Sequence, residues 1–232
     1  MKKFLVIISC VLLTFTCLGC DAGMVGYERD DSAGDLQIAS NEQDQGTVFE
    51  SISDYMRYYK KLEGSSVTVP GLLDDGYIKE FFLSQEILNI SSDRIENFDE
   101  CPLNSKVYVT GTSCIDENGE PYIDLDYVEY YAALSEPFWS NTTLITTTDE
   151  ALGVFSTSTT DPNEHYEFTA IVSNNQEYYQ LLGLDWEMVL DNRVQDYSVP
   201  IGHACQFAVT NVTFDDNGLY FEVEDFIDLE EQ

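Results

Sequence analysis

Basic residues are the scarcest feature of this 232-residue chain: ten lysines and arginines stand against 43 aspartates and glutamates, a formal charge of −33. A surface of that sign repels phosphate backbones and anionic head groups, which argues against nucleic acid and against charge-driven membrane binding. Histidine is rarer still, with His165 and His203 as the pair present. The sequence carries no nucleophile elbow, phosphate loop, zinc-spaced cluster or dinucleotide fingerprint. His203 and Cys205 lie two apart and would share one face of a strand, a spacing that rarely yields the aligned hydrogen bond of a Cys–His nucleophile. Paired carboxylates carry no information either, because with 43 acidic side chains every region of surface contains some. The chain reads as non-catalytic.

Long apolar runs are also missing, except at residues 4–18, which follow Lys2 and Lys3 and precede Gly19-Cys20. That run is short for a membrane span and has the layout of a secretory signal peptide. Its ending, Cys17-Leu18-Gly19-Cys20, resembles the lipobox of bacterial lipoproteins, with Cys17 and Leu18 standing where that family usually has Leu and a small residue. The resemblance implies cleavage after residue 19, a diacylglycerol on Cys20, and an extracytoplasmic, lipid-anchored location in a bacterium. Residues 20–46 are rich in Asp, Gly, Ser, Gln and Asn without periodicity, and read as a flexible acidic tether.

What the chain does have is apolar content, 44% hydrophobic and 13% aromatic, enough for real cores. It also has an internal echo. Residues 106–127 and 203–226 both run an apolar-rich strand into Asp-acidic-Asn-Gly, at 116–119 and 215–218, and then into an alternating strand. Asn-Gly supplies the positive φ angles of tight hairpin turns, so each copy predicts a β-hairpin. Helices are predicted ahead of each copy by capping boxes, Thr47 with Glu50 for a helix reaching about residue 62, and Thr147 with Glu150 for a shorter one. Between helix and hairpin, strands are predicted over 66–73, 77–83 and 87–91 in the first copy and over 166–173, 177–182 and 186–190 in the second.

Short strands of this number favour closure, which removes exposed edges. The expected fold is mainly β, two tandem five-stranded barrels each preceded by a short helix: residues 47–135 and 146–232, joined by a connector at 136–145. Val67-Thr-Val-Pro-Gly71 and Asn104-Ser-Lys-Val-Tyr-Val-Thr-Gly111 give the first copy a resemblance to the OB-fold, specifically the tRNA_anti-like OB domains of bacterial lipoproteins. The second copy keeps Pro200-Ile-Gly202 but has Ala170 and Thr210 where the first has Gly71 and Gly111.

An OB barrel binds across its second and third strands, often through aromatic side chains, which nominates Tyr77, Phe81, Tyr178, Tyr179 and Trp186. Packing in the core is the competing role for each of them. Of the six cysteines, Cys101, Cys114 and Cys205 lie beyond the lipobox. A Cys101–Cys114 disulfide would contribute roughly 3 kcal/mol, with Cys114–Cys205 pairing or buried thiols as alternatives. Asp116 and Asp215 offer oxygens for Ca²⁺, although neither turn fits an EF-hand loop and such turns favour Asp for their own geometry. Two functions are compatible with these residues. One is a lipid-anchored envelope protein, without a cofactor, that binds a protein or envelope component. The other is a Ca²⁺-dependent extracellular module or carboxylate-based enzyme.

Overall fold

Twelve strands and two short helices make up the regular structure in a computed structural model that describes residues 46–82, 84–91, 98, 101–156, 161, 163–173, 177–184, 188–192, 199–216 and 218–231. Cys20, the signal segment, the tether up to residue 45 and Trp186 lie outside the described residues. Among the described residues, no helix is long and apolar enough to cross a membrane.

The first unit runs β1 (Thr47–Val48), α1 (Ile52–Tyr58), β2 (Ser66–Asp74), β3 (Tyr77–Lys79), β4 (Ile87–Ser91), β5 (Lys106–Ile115) and β6 (Pro121–Tyr131). Strands are ordered β1-β2-β3-β4-β6-β5, and β5 pairs again with β2, so β2 to β6 close into a five-stranded barrel. Closure depends on a bulge between Thr110 and Gly111, where the β5–β6 register shifts. A Cβ at Gly111 would sit 2.3 Å from the Asp124 carbonyl oxygen, so the two strands meet there without room for a side chain. Val67, Val69, Ile78, Val107, Val109 and Ile123 fill the interior, and α1 adds Ile52 and Tyr55. The Tyr55 hydroxyl satisfies its polar end against Ser113 Oγ at 2.8 Å.

α1 starts later than the Thr47 capping box predicts. Thr47 and Val48 are claimed by a parallel ladder to Val67 and Thr68, and Ser51 becomes the cap, its Oγ accepting from the Asp54 amide at 3.0 Å. β3 also ends early, at Lys79 rather than 83, because the chain turns at Phe82, whose φ is 58°. In the first hairpin Gly119 has positive φ, 88°, and Asn118 does not. The turn closes instead through Asp116, whose Oδ1 accepts from the Asn118 and Glu120 amides.

The second unit contains β7 (Thr143–Leu144), α2 (Thr148–Phe155), β8 (Tyr166–Val172), β9 (Tyr178–Leu181), β10 (Met188–Asp191), β11 (Ala204–Asp215) and β12 (Gly218–Asp228). Here the Thr147–Glu150 capping box forms as its spacing predicts. β7 pairs in parallel with β8 as β1 does with β2, so Thr47 corresponds to Thr143 and not to Thr147. The core is aromatic: Phe155, Phe168, Tyr179, Phe207 and Phe221 meet with centroids 5.1–5.9 Å apart.

Where a second closed barrel is expected, the sheet is open, in the order β10-β9-β8-β11-β12. In the first unit β4 and β6 share a three-residue parallel ladder, Asn89–Ser91 with Tyr122–Asp124. The corresponding edges of the second unit meet at one bridge, Asn192 to Leu219. The buried Asn192 side chain takes over, donating from Nδ2 to the Phe221 carbonyl at 3.1 Å and accepting from the Phe221 amide at 3.2 Å. A side-chain amide thereby satisfies backbone groups that a longer ladder would pair.

The units pack through Leu72, Ile171, Leu182 and Ala204, flanked by Phe81, Phe82, Tyr131 and Ala133. Asn104 crosses the seam twice, donating to the Leu184 carbonyl at 2.6 Å and accepting from the Gly183 amide at 3.1 Å. Gly183 has φ 72°, and a Cβ there would lie 2.5 Å from the Cβ of Ala133. The connector is pinned by Glu167, fully buried with no cation beside it among the described residues, which accepts from the Phe138 and Trp139 amides at 2.8 and 2.9 Å, from Gln206 and from the Thr142 hydroxyl.

Gly111→Ala is expected to destabilise the protein by about 1–3 kcal/mol through overpacking at the bulge, lowering Tm by several degrees. Gly153→Ala in α2, where the new Cβ meets nothing within 4 Å, is expected to leave Tm unchanged or raise it. Parallel thermal melts of the two variants check this, and equal behaviour would remove Gly111 from the account of closure.

Candidate functional site

A cleft of about 780 Å³ opens where the units meet, between the start of α1, the turn after β3 and the loop before β11. Phe49, Pro70, Phe81, Phe82 and Ile201 form its apolar wall, and Glu80, Lys106, Tyr108 and His203 supply polar atoms. Tyr108 and His203 also line a neighbouring recess of about 330 Å³, so the two hollows share a wall.

The floor of that wall is built by the first residue of β5. Lys106 is 2% exposed, with its ammonium donating to Tyr108 Oη at 2.8 Å, to the Gly202 carbonyl at 2.6 Å and to Glu230 Oε1 at 2.6 Å. An ammonium has three protons, and all three are used. Glu230 answers with both oxygens: Oε2 accepts from the Tyr108 hydroxyl at 2.9 Å, and Oε1 also accepts from the Ala204 amide at 2.5 Å. Burial pulls Lys106 below the ordinary lysine range, and the adjacent Glu230 carboxylate opposes that pull. Beside the pair, His203 Nδ1 lies 2.6 Å from Asp228 Oδ2, with the His203 side chain 40% exposed toward the cleft.

The opposite wall is held by Glu80. Its Oε2 accepts from the Ser53 amide in the first turn of α1 at 2.8 Å, which ties the turn after β3 to the helix. Phe82, in its left-handed conformation, donates its amide to Gln180 Oε1 at 2.5 Å across the seam. Both walls are therefore fixed by charged or amide side chains and not by loop packing alone.

Of the aromatics nominated from sequence, Phe81 lines the cleft. Tyr77 donates its hydroxyl to Asp74 at 3.0 Å under the Lys79 ammonium, Tyr178 is exposed, and Tyr179 is fully buried in the second core. The burial of Tyr179 places its ring in the packing of the second core, and Trp186 lies outside the described residues. The Cys101–Cys114 bridge is absent, and the three described cysteines are thiols. Cys205 is buried, and desolvation with the Asp228 and Glu230 charges pushes its thiol up to about 12, far from nucleophilic character. Asp116 is occupied by its own turn, the Glu120 amide foremost, which lowers its carboxyl from the usual value. Asp215 closes the other hairpin opposite Gly218. Among the described residues, no group of three or more His, Cys, Asp or Glu is placed to hold a metal ion.

Lys106, Tyr108 and Glu230 are the residues that sequence reasoning missed, and it considers His203 only as a partner for Cys205. A signal for the first existed: one of ten cations stands at the head of an apolar strand, where a solvated lysine is out of place.

Breaking the pair from one side, by Lys106→Met or Glu230→Gln, is expected to cost about 3–5 kcal/mol in urea unfolding. Lys106→Met with Glu230→Leu should recover much of that loss, since no charge remains buried alone. Additive losses in the double variant would mean the two side chains do not act as a pair. Tyr108 and Tyr131 are both raised above the tyrosine value of 10.0, by burial first and by Glu230 and Glu129 beside them. Folded values above unfolded ones give stability that is complete below about pH 10 and fades as pH rises through the folded values. A spectrophotometric alkaline titration should therefore show a late group of tyrosines that ionises together with unfolding, and a single ordinary transition would contradict it. Comparison with protein-family models, curated proteins and solved structures finds no match to this chain.

Proposed function

We propose that this chain is a lipid-anchored, non-catalytic binding lipoprotein of the bacterial cell envelope. Cys20 holds it to the membrane, and a protein or envelope component occupies the cleft between its two β units. The cleft carries the reading: a hollow of about 780 Å³ with an apolar wall and a few fixed polar groups has the size and make-up of a ligand site. Lys106 is not poised for chemistry, since it spends every proton on internal acceptors, and Cys205, buried nearby and outside the cleft lining, is held protonated.

The OB-like reading of the first unit is supported by its strand order, in which the last strand in sequence lies between the third and fourth and the fourth returns to the first. For the second unit it is supported by the matching order of its strands and by the Asn192 bridge at its seam. The anchor rests on residues 1–20, whose lipobox-like ending precedes an acidic tether that would hold the cleft away from a bilayer of like charge.

Expression in a bacterial host with Cys20→Ala tests the anchor. The wild-type chain is expected in the membrane fraction, with an intact mass that starts at a diacylated Cys20, and the variant in the soluble fraction or with an unprocessed N-terminus. Equal fractionation and unmodified mass for both would overturn the anchored reading.

A further inference from the structure

The recess of about 330 Å³ beside the cleft differs from it in chemistry. Tyr108, Tyr127 and Tyr131 line it, together with the carboxylates of Glu129 and Glu230. His203 lines it too, its Nδ1 donating to Asp228 Oδ2 at 2.6 Å. Among the described residues, the Tyr108 and Tyr131 hydroxyls and the ammonium around it have no spare proton. The Tyr131 hydroxyl is given to Glu129 at 2.6 Å and the Tyr108 hydroxyl to Glu230 at 2.9 Å. Lys106 has no proton left, and Thr68 and Thr110 bond each other at 2.8 Å.

The walls thus present ring faces, carboxylate lone pairs and the outer edge of the His203 imidazole, whose Nδ1 side is turned to Asp228. Such a lining asks the ligand to bring the donors and the positive charge. Lys106 already makes this contact from inside, its Nζ 4.6 Å from the centroid of Tyr108. Tyr127, 59% exposed, stands on the solvent side with its ring uncovered. The ionisation of Tyr108 and Tyr131 is raised by burial first and then by the Glu230 and Glu129 carboxylates beside them, and those two carboxylates would favour a cation in the recess.

We infer that this recess is a binding site for an organic cation, an alkylammonium or guanidinium group held between the tyrosine rings and the Glu129 and Glu230 carboxylates. That group is either a free small amine or the end of a lysine or arginine side chain on a partner. The inference deepens the reading of the inter-unit hollow as a ligand site, and it is independent of the anchor at Cys20.

Calorimetric titration of the full chain at fixed ionic strength tests it, with n-butylammonium, guanidinium and a short lysine-containing peptide as probes and with sodium and n-butanol as controls. Saturable binding of the organic cations is expected, with neither control competing. Binding of the free amine alone would identify a small-molecule site, and much tighter binding of the peptide would identify a partner side chain. Tyr127→Ala and Glu129→Gln, both at exposed positions, are each expected to weaken binding roughly two- to fivefold. Tyr130→Ala, exposed on the same strand but outside the recess, should leave it unchanged. Thermal melts of the variants matching wild type would exclude misfolding. The inference is overturned if sodium competes on equal terms, if n-butanol binds as well as n-butylammonium, or if Tyr127→Ala and Glu129→Gln bind like wild type. Failure here with Cys20-dependent membrane fractionation intact would remove the cation site and leave the anchored reading standing.

Discussion

One buried ion pair organises the meeting of the two units. Lys106 at the head of β5 and Glu230 just beyond β12 come from opposite units, and each is almost wholly removed from water. Such a pair is stable when the remaining protons and lone pairs find partners, and here Tyr108, Gly202 and Ala204 provide them. Those partners are also walls of the cleft or neighbours of them. The site therefore inherits its shape from an interaction whose first task is to hold the fold together. In a chain with 43 acids and ten bases, one of the few cations is committed to this position.

The two units solve one geometric problem in different ways. Both need to bring the first and last strands of a twisted sheet together, and bulges supply the bending in each. The first unit completes the circuit with backbone ladders and a glycine at the tightest crossing. The second stops at one bridge and fills the remaining hydrogen-bond demand with the amide of Asn192. Its aromatic core compensates for the missing ladder, because edge-to-face rings add attraction beyond the area they bury. Glu167 follows a related logic. A carboxylate buried with no cation beside it among the described residues is tolerated because backbone amides, a hydroxyl and a side-chain amide surround it.

Much of the fold was legible because strand signals are local. The hairpin of β5 and β6, and most limits of β2, β4 and β8, follow from apolar alternation and turn residues within a short window. The start of α1 was not legible, since Thr47-x-x-Glu50 satisfies the capping pattern while a strand more than a turn of sequence away claims Thr47. The site was least legible. Glu230 is one acid among 43 until the fold brings it to a lysine 124 residues earlier. The aromatics show a similar limit: Tyr178 and Tyr179 are adjacent in sequence, yet one faces water and the other the core. Alternation says that they differ in side, and only the assembled sheet says which side is the interior.

Gly183 and Ala133 meet at the seam with no room for another methyl group. Neither residue lines the cleft, and their close approach limits how near the two units come at this point of the seam. A glycine and an alanine thus mark the tightest spacing that the seam allows there. Enlarging either residue would push the units apart at the seam without altering any residue that lines the cleft.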